Sequence, residues 1–325
     1  MQELINLILE SGSSGIDLTL YTIVPIMVVM MAVMKLLEDI GFLNKVALFM
    51  APLLGVFGLP GLGVFAMLQC MLISFAAPIA TLKLMDKSPQ ISGPNIAATM
   101  ATVLTISQAN AAFPLAASGL SLTVVFATSV VGGLVAGLVA YKISYRFYNI
   151  DTNDSHNLAE SQKGSNQVNG ENSDKKEEKF NVFLSLYNGA EEGFWTGVKA
   201  APVLILALFV VDVLKETSVI SLLETILTPV FTQINIPGSA VLPIVTKFLA
   251  GGTAMMGITM DVMAEGNLSV QELNRIAGIG IHSIDPVAIS LFATSGLRLA
   301  KQIKPAIIGG VVGIIFRAIF HIIFF

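Results

Sequence analysis

Cysteine, histidine, tryptophan and charge are all scarce in this chain. A single cysteine, Cys70, excludes a disulfide within the chain and any cysteine-cluster metal site. Only 12% of the 325 residues are charged, whereas a soluble domain carries about 25%. The net charge is −4 and no basic face could engage phosphates, so nucleic acid is excluded as a partner. No GxxxxGK[ST] phosphate loop occurs. No nucleophile–base pair is readable either, because His282 and Asp285 at i, i+3 is a common chance spacing. Hard cations want several carboxylates, and soft ones want thiolates or imidazoles. Neither set is present, so no metal site, no cofactor and no enzyme activity are expected. Met27, Met30, Met31 and Met34 read as packing or lipid-facing residues rather than a copper ladder.

What the chain has is apolar length. It is 54% hydrophobic with a mean hydropathy of +0.78, which marks an all-α, polytopic membrane protein. The stretch Met1–Gly15 carries no positive charge before its short apolar run and reads as an amphipathic lead-in, not a cleavable signal. Spans are expected at Asp17–Leu37, Phe42–Gly58, Leu62–Met85, Pro94–Ala117 and Leu120–Tyr141. Five more follow at Phe194–Leu214, Val219–Ile234, Ala240–Met260, Gln271–Ala293 and Pro305–Phe325. Gly132, Gly133 and Gly137 would let the fifth span approach its neighbours closely.

Between the two sets lies DTNDSHNLAESQKGSNQVNGENSDKKEEK, too polar to bury a core of its own. It divides the chain into a first repeat at 1–148, a flexible polar linker at 149–190 and a second repeat at 191–325. The repeats align at an offset of 177: Pro25 meets Pro202, Pro52 meets Pro229, Pro60-Gly61 meets Pro237-Gly238, and Gly132-Gly133 meets Gly309-Gly310. Prolines and glycines fix turns and breaks, so their register says more than shared hydrophobicity does. Most lysines and arginines fall on the linker side of the bilayer, which places the linker in the cytoplasm. Lys215, Arg275 and Arg317 fall outside or near that edge, and Lys247 lies within a span. Five crossings per half is an odd number, so the halves would enter from opposite sides, as inverted repeats.

The stretch Ile276–Gly296 is apolar but holds His282, Ser283, Asp285 and Pro286 near its middle. An ionisable group at membrane depth needs a partner, water or a ligand, and a proline there breaks the helix. The repeat sets Gln108 against Asp285, Thr105 against His282, and Gln69 against Thr246 beside Lys247. Broken helices at the midplane would offer free N–H and C=O groups to a polar solute. The candidate substrate- or ion-binding residues are Gln69, Gln108, Asn110, Lys247, Thr253, His282, Ser283 and Asp285. Lys247 and Asp285 are each expensive alone and are expected to meet. His282 is the midplane group that titrates near neutral without a large shift.

The duplicated module with Pro-Gly after its second span, GLPG at 58–61 and NIPG at 235–238, resembles the nucleoside-recognition or gate domain. That domain is shared by concentrative nucleoside transporters, the membrane part of the ferrous-iron transporter and the spore maturation membrane proteins. The likeness covers nearly all of both halves and implies membrane transport, with no uniform substrate and no ligand residue to carry over. The expected function is a secondary transporter of a nucleoside, nucleobase or similar small polar solute, coupled to H+ or Na+. Carriage of a small organic anion, with Lys247 as counter-charge, or a non-transporting membrane scaffold are the alternatives. The expected setting is a cell (inner) membrane crossed many times, and a homo-oligomer is among the partners that a duplicated gate-type plan allows.

Overall fold

The computed structural model describes residues 2–74, 76–147, 181–217 and 219–325, and the regular elements among them are all helical. The chain opens with α1 (Gln2–Asp17), a π-helical turn at Leu18–Ile23, and α2 (Val24–Asp39). Pro25 has no N–H to return to the preceding turn, and the wider turn before it absorbs that loss. The expected lead-in is therefore helix continuous with the first span: Leu4–Asp39 is one 36-residue apolar rod.

After α3 (Phe42–Leu54) and a 3-10 turn at Gly55–Phe57, the chain bends by 109° into α4 (Gly61–Leu72). Gly58 turns the corner at φ +81°, a conformation that costs glycine nothing. Next, α5 (Ile79–Lys87) packs back on α4, where Thr81 Oγ1 donates to Gln69 Oε1 over 2.7 Å. Residues 69 and 81 flank the turn symmetrically, so α4 and α5 form a hairpin rather than one crossing. Next come α6 (Gly93–Thr105), α7 (Ala109–Ala117) and α8 (Leu122–Phe147).

The second half contains α9 (Val182–Glu216), α10 (Val219–Gln233), a 3-10 turn at Gly238–Ala240, and α11 (Val241–Ala250). It ends with α12 (Gly252–Ala264), α13 (Val270–Gly280), α14 (Pro286–Thr294) and α15 (Leu297–Phe324). The expected linker reached residue 190, but α9 already begins at Val182, where Asn181 Oδ1 accepts from the N–H groups of Phe183 and Leu184. The rest of that stretch, 149–180, lies outside the described residues.

Helix boundaries recur at the 177 offset. Moved by that amount, α7 coincides with α14, and α8 ends where α15 ends. Ser92 and Ser269 are matching N-caps, each accepting from the backbone three residues on. Corresponding helices also pack against each other, and they run antiparallel. Gly189, Gly193 and Gly197 of α9 face Met31, Met27 and Val24 of α2, in descending order. On the other pair, Ser144 meets Gln302, Gly132 meets Gly313, and Thr128 meets His321. A Cβ on Gly193 would run into the Met27 backbone, so the glycine stripe sets how close α2 and α9 come.

Ten crossings were expected. Among the described residues five helical segments, one of them α6 and α7 taken together, are long and apolar enough to cross a bilayer, or six if the bent pair α3–α4 counts as one. The remaining segments are cut by proline and glycine into helices of 9–15 residues. At 1.5 Å per residue these reach only about 14–23 Å.

Candidate functional site

Two broken helices and two hairpins meet inside the bundle. The first break falls after Thr105, because Ile106 is extended at ψ 145° and Gln108 caps α7 at ψ 135°. The second falls between Gly280 and Pro286. Proline biases the residue before it toward extended backbone, and Asp285 sits there at φ −149°, ψ 165°. Pro286 is the first residue of α14, where its missing N–H costs nothing. The proline break expected at this point is present.

The breaks are stitched together. Ser283 N–H donates to Leu104 O at 2.9 Å, and Ser107 Oγ donates to Ile281 O at 3.0 Å. Gln108 Nε2 donates to Ser283 Oγ at 2.9 Å and to His282 O at 3.2 Å. Half-helix N-termini at α7 and α14, with their positive dipole ends, thus lie against one polar cluster.

Asp285 accepts twice. Its Oδ1 takes the N–H of Ala288 at 2.9 Å, capping α14, and its Oδ2 lies 3.1 Å from Lys247 Nζ. Lys247 is fully buried and Asp285 is 8% exposed. Lys247 stands in the last turn of α11, where a cation suits the negative helix end. Behind it the chain reverses at Gly251, φ +88°, into α12. That conformation requires glycine. A Cβ on Gly251 would lie 3.6 Å from Asp285 Oδ2, and one on Gly252 would lie 3.8 Å from both Lys247 Nζ and Gln108 Oε1. The tip of the second hairpin is therefore seated on the ion pair and on Gln108.

Of the eight residues singled out by sequence, five gather here: Gln108, Lys247, His282, Ser283 and Asp285. His282 Nδ1 accepts from Ile284 N–H at 3.1 Å, which leaves Nε2 to carry the ring proton; Nε2 is buried without a partner. Its ring centre lies 5.7 Å from that of Phe248. Thr253 is half-buried in the first turn of α12. Asn110, in the first turn of α7, has a buried Oδ1 with no partner. Gln69 is committed to Thr81 in the first hairpin and makes no bond to this cluster.

Four residues outside that set belong to the same network. Cys70 Sγ lies 3.6 Å from Ser283 Oγ, which brings α4 to the break. Ser129 of α8 donates to Ser107 Oγ at 2.7 Å and accepts from Ser107 N–H at 3.1 Å. Arg317, placed by charge counting near a membrane edge, is fully buried. It donates to Thr105 O at 2.5 Å, to Ile281 O at 3.0 Å and to Ser107 Oγ at 2.6 Å. Three oxygens and the slot at Gly132, whose Cβ would strike the Arg317 side chain, accommodate the buried cation. The signal that could have found it is small residues on two spans facing one arginine. Among the described residues, no group of three or more His, Cys, Asp or Glu could hold a metal ion.

The cluster presents an internally neutralised ion pair, an amide, hydroxyls and an imidazole N–H, all enclosed by apolar packing. Such a set offers donors and acceptors together. No family model matches the chain, and no curated protein does. Solved structures of the concentrative nucleoside transporter CNTnw do resemble it. An outward-facing structure has TM-score 0.66 at 14% identity, covering 99% of this chain and 84% of that one. An inward-facing, substrate-bound structure has TM-score 0.64 at 16% identity, covering 99% and 83%. An intermediate state has TM-score 0.67 at 15% identity, covering 93% and 75%. At these identities the likeness establishes the fold: this chain has the architecture of a concentrative nucleoside transporter.

Proposed function

We propose that this protein is a secondary membrane transporter for a nucleoside, nucleobase or similar small polar solute. The observation that carries the reading is the pairing of Lys247 with Asp285 beside Gln108 at the tip of a helical hairpin. A scaffold would have no use for costly polar groups at this depth. The architecture shared with a nucleoside transporter, solved in several states, supports the same reading. The antiparallel pairs α2/α9 and α8/α15 support two halves inserted in opposite senses, the plan of many secondary transporters.

Neutral polar solutes fit better than anions. Lys247 already has its counter-charge in Asp285, so an anion would have to compete with a buried carboxylate. Ribose hydroxyls and base edges instead need neighbouring donors and acceptors, which Gln108, Asn110, Thr253, His282 and Ser283 provide. Coupling to H+ or Na+ completes the proposal.

Thermal melting of the purified protein against nucleosides, nucleobases and dicarboxylates tests it, because a ligand of the folded state raises the melting temperature. A nucleoside or nucleobase is expected to raise it, and Gln108→Ala is expected to remove that rise. A rise with dicarboxylates alone would replace the proposal with the anion reading.

A further inference from the structure

Every helix that stops inside a protein leaves carbonyl oxygens without donors, and its end is electronegative. Here two such ends, at Thr105 of α6 and Ile281 of α13, point into one dry place. Both oxygens bind the same nitrogen, Arg317 Nη1, at 2.5 and 3.0 Å, and Ser107 Oγ binds Nη2 at 2.6 Å. Two backbone carbonyls and a hydroxyl oxygen converging at half-helix ends make the kind of ligand set that holds a monovalent cation. No carboxylate among the described residues pairs with Arg317. The guanidinium is offset by the carbonyl dipoles and the Ser107 hydroxyl.

We propose that Arg317 is a resident cation: its guanidinium permanently fills a monovalent-cation site formed by Thr105 O, Ile281 O and Ser107 Oγ, and so locks the two broken helices together. Guanidinium stays protonated in proteins, so this charge cannot leave with a proton. The slot is built for it, since Gly132 on α8 leaves room for the Arg317 stem. It follows that any exchangeable coupling ion enters elsewhere, a step that rests on the transport reading above.

The test reads stability and needs no solute, so a failed solute screen leaves it standing. The purified full-length protein and Arg317→Ala are melted in choline chloride, in sodium chloride, and with millimolar guanidinium chloride, far below denaturing strength. Arg317→Ala is expected to melt several degrees lower in choline and to recover part of that loss with guanidinium or sodium. The parent protein is expected to show no such gain. A variant that melts like the parent, or cations that move both proteins equally, would overturn the proposal. If Arg317→Ala does not accumulate, Arg317→Lys and Arg317→Met are compared, since their volumes are similar and only one is charged. The lysine variant should accumulate and the methionine variant should not; equal yields of the two would also overturn it.

Discussion

Lys247 and Asp285 come from separate elements 38 residues apart in sequence, and each is the other's only ion-pair partner among the described residues. Removing one member of a buried pair strands the other, at a cost of about 3–5 kcal/mol. Lys247→Met and Asp285→Asn should therefore each lower the yield of folded protein. The double variant should recover much of that yield and still fail to bind solute. Melting temperatures of the four proteins form a double-mutant cycle. A double variant no more stable than the worse single would show that the two do not support each other.

His282 faces a different constraint. Its Nδ1 accepts a hydrogen bond from Ile284 N–H, so a second proton on the ring would break that bond. If uptake is proton-coupled, His282 is the candidate that sequence offers, and we propose that this bond argues against it. His282→Gln is expected to weaken solute binding and to leave the pH dependence of uptake between about pH 5 and 8 unchanged. Flattening of that profile in the variant would return the coupling role to His282.

The opposite insertion of the two halves can be tested at matched loops. Gln90 and Asn267 correspond at the 177 offset and are both exposed. In a Cys70→Ala background, cysteines at these two positions should react with an impermeant reagent from opposite faces of the membrane. Reaction of both from one face would remove the inverted arrangement.

The α2–α9 contact depends on the absence of side chains. A Cβ at Gly193 would strike the Met27 backbone, and one at Gly189 would come within 2.5 Å of Met31 O. Overpacking of this kind typically costs about 1–3 kcal/mol. Gly193→Val should lower the melting temperature, whereas Gly12→Val, whose Cβ meets nothing within 4 Å, should change it little. Equal effects at the two positions would mean that the stripe does not govern the contact.

Several helix breaks and starts were legible in sequence because proline and glycine fix local geometry wherever they occur. Pro286 announced its break, and Pro60 and Pro237 announced matching helix starts, both extended N-caps in the structure. The meeting of Lys247 and Asp285 followed from the cost of either charge alone. The number of crossings did not follow. A kinked span and a re-entrant hairpin leave the same trace in an apolar run, and only the Thr81–Gln69 bond tells them apart for α4 and α5. Gln69 bonds to Thr81 across that hairpin. Arg317 was missed because two of its three partners are backbone carbonyls, which no residue type reveals.

The two last helices of the halves begin under side chains borrowed from elsewhere. Asp86 of α5 accepts from the N–H groups of Arg298 and Leu299 at the start of α15, at 2.8 and 3.0 Å. Asn274 of α13 accepts from Ser121 N–H at 2.7 Å and donates to Gly119 O at 3.0 Å, at the start of α8. Each half thus supplies a cap for the other. During synthesis α8 emerges before Asn274 exists, so the Ser121 N–H that precedes its first turn has no Asn274 to bond until 153 further residues are made. The second half, by contrast, finds Asp86 already in place. Order of synthesis therefore sets an order of completion, in which the earlier half is finished only by the later one. Two separately expressed halves would each lack a cap until they met.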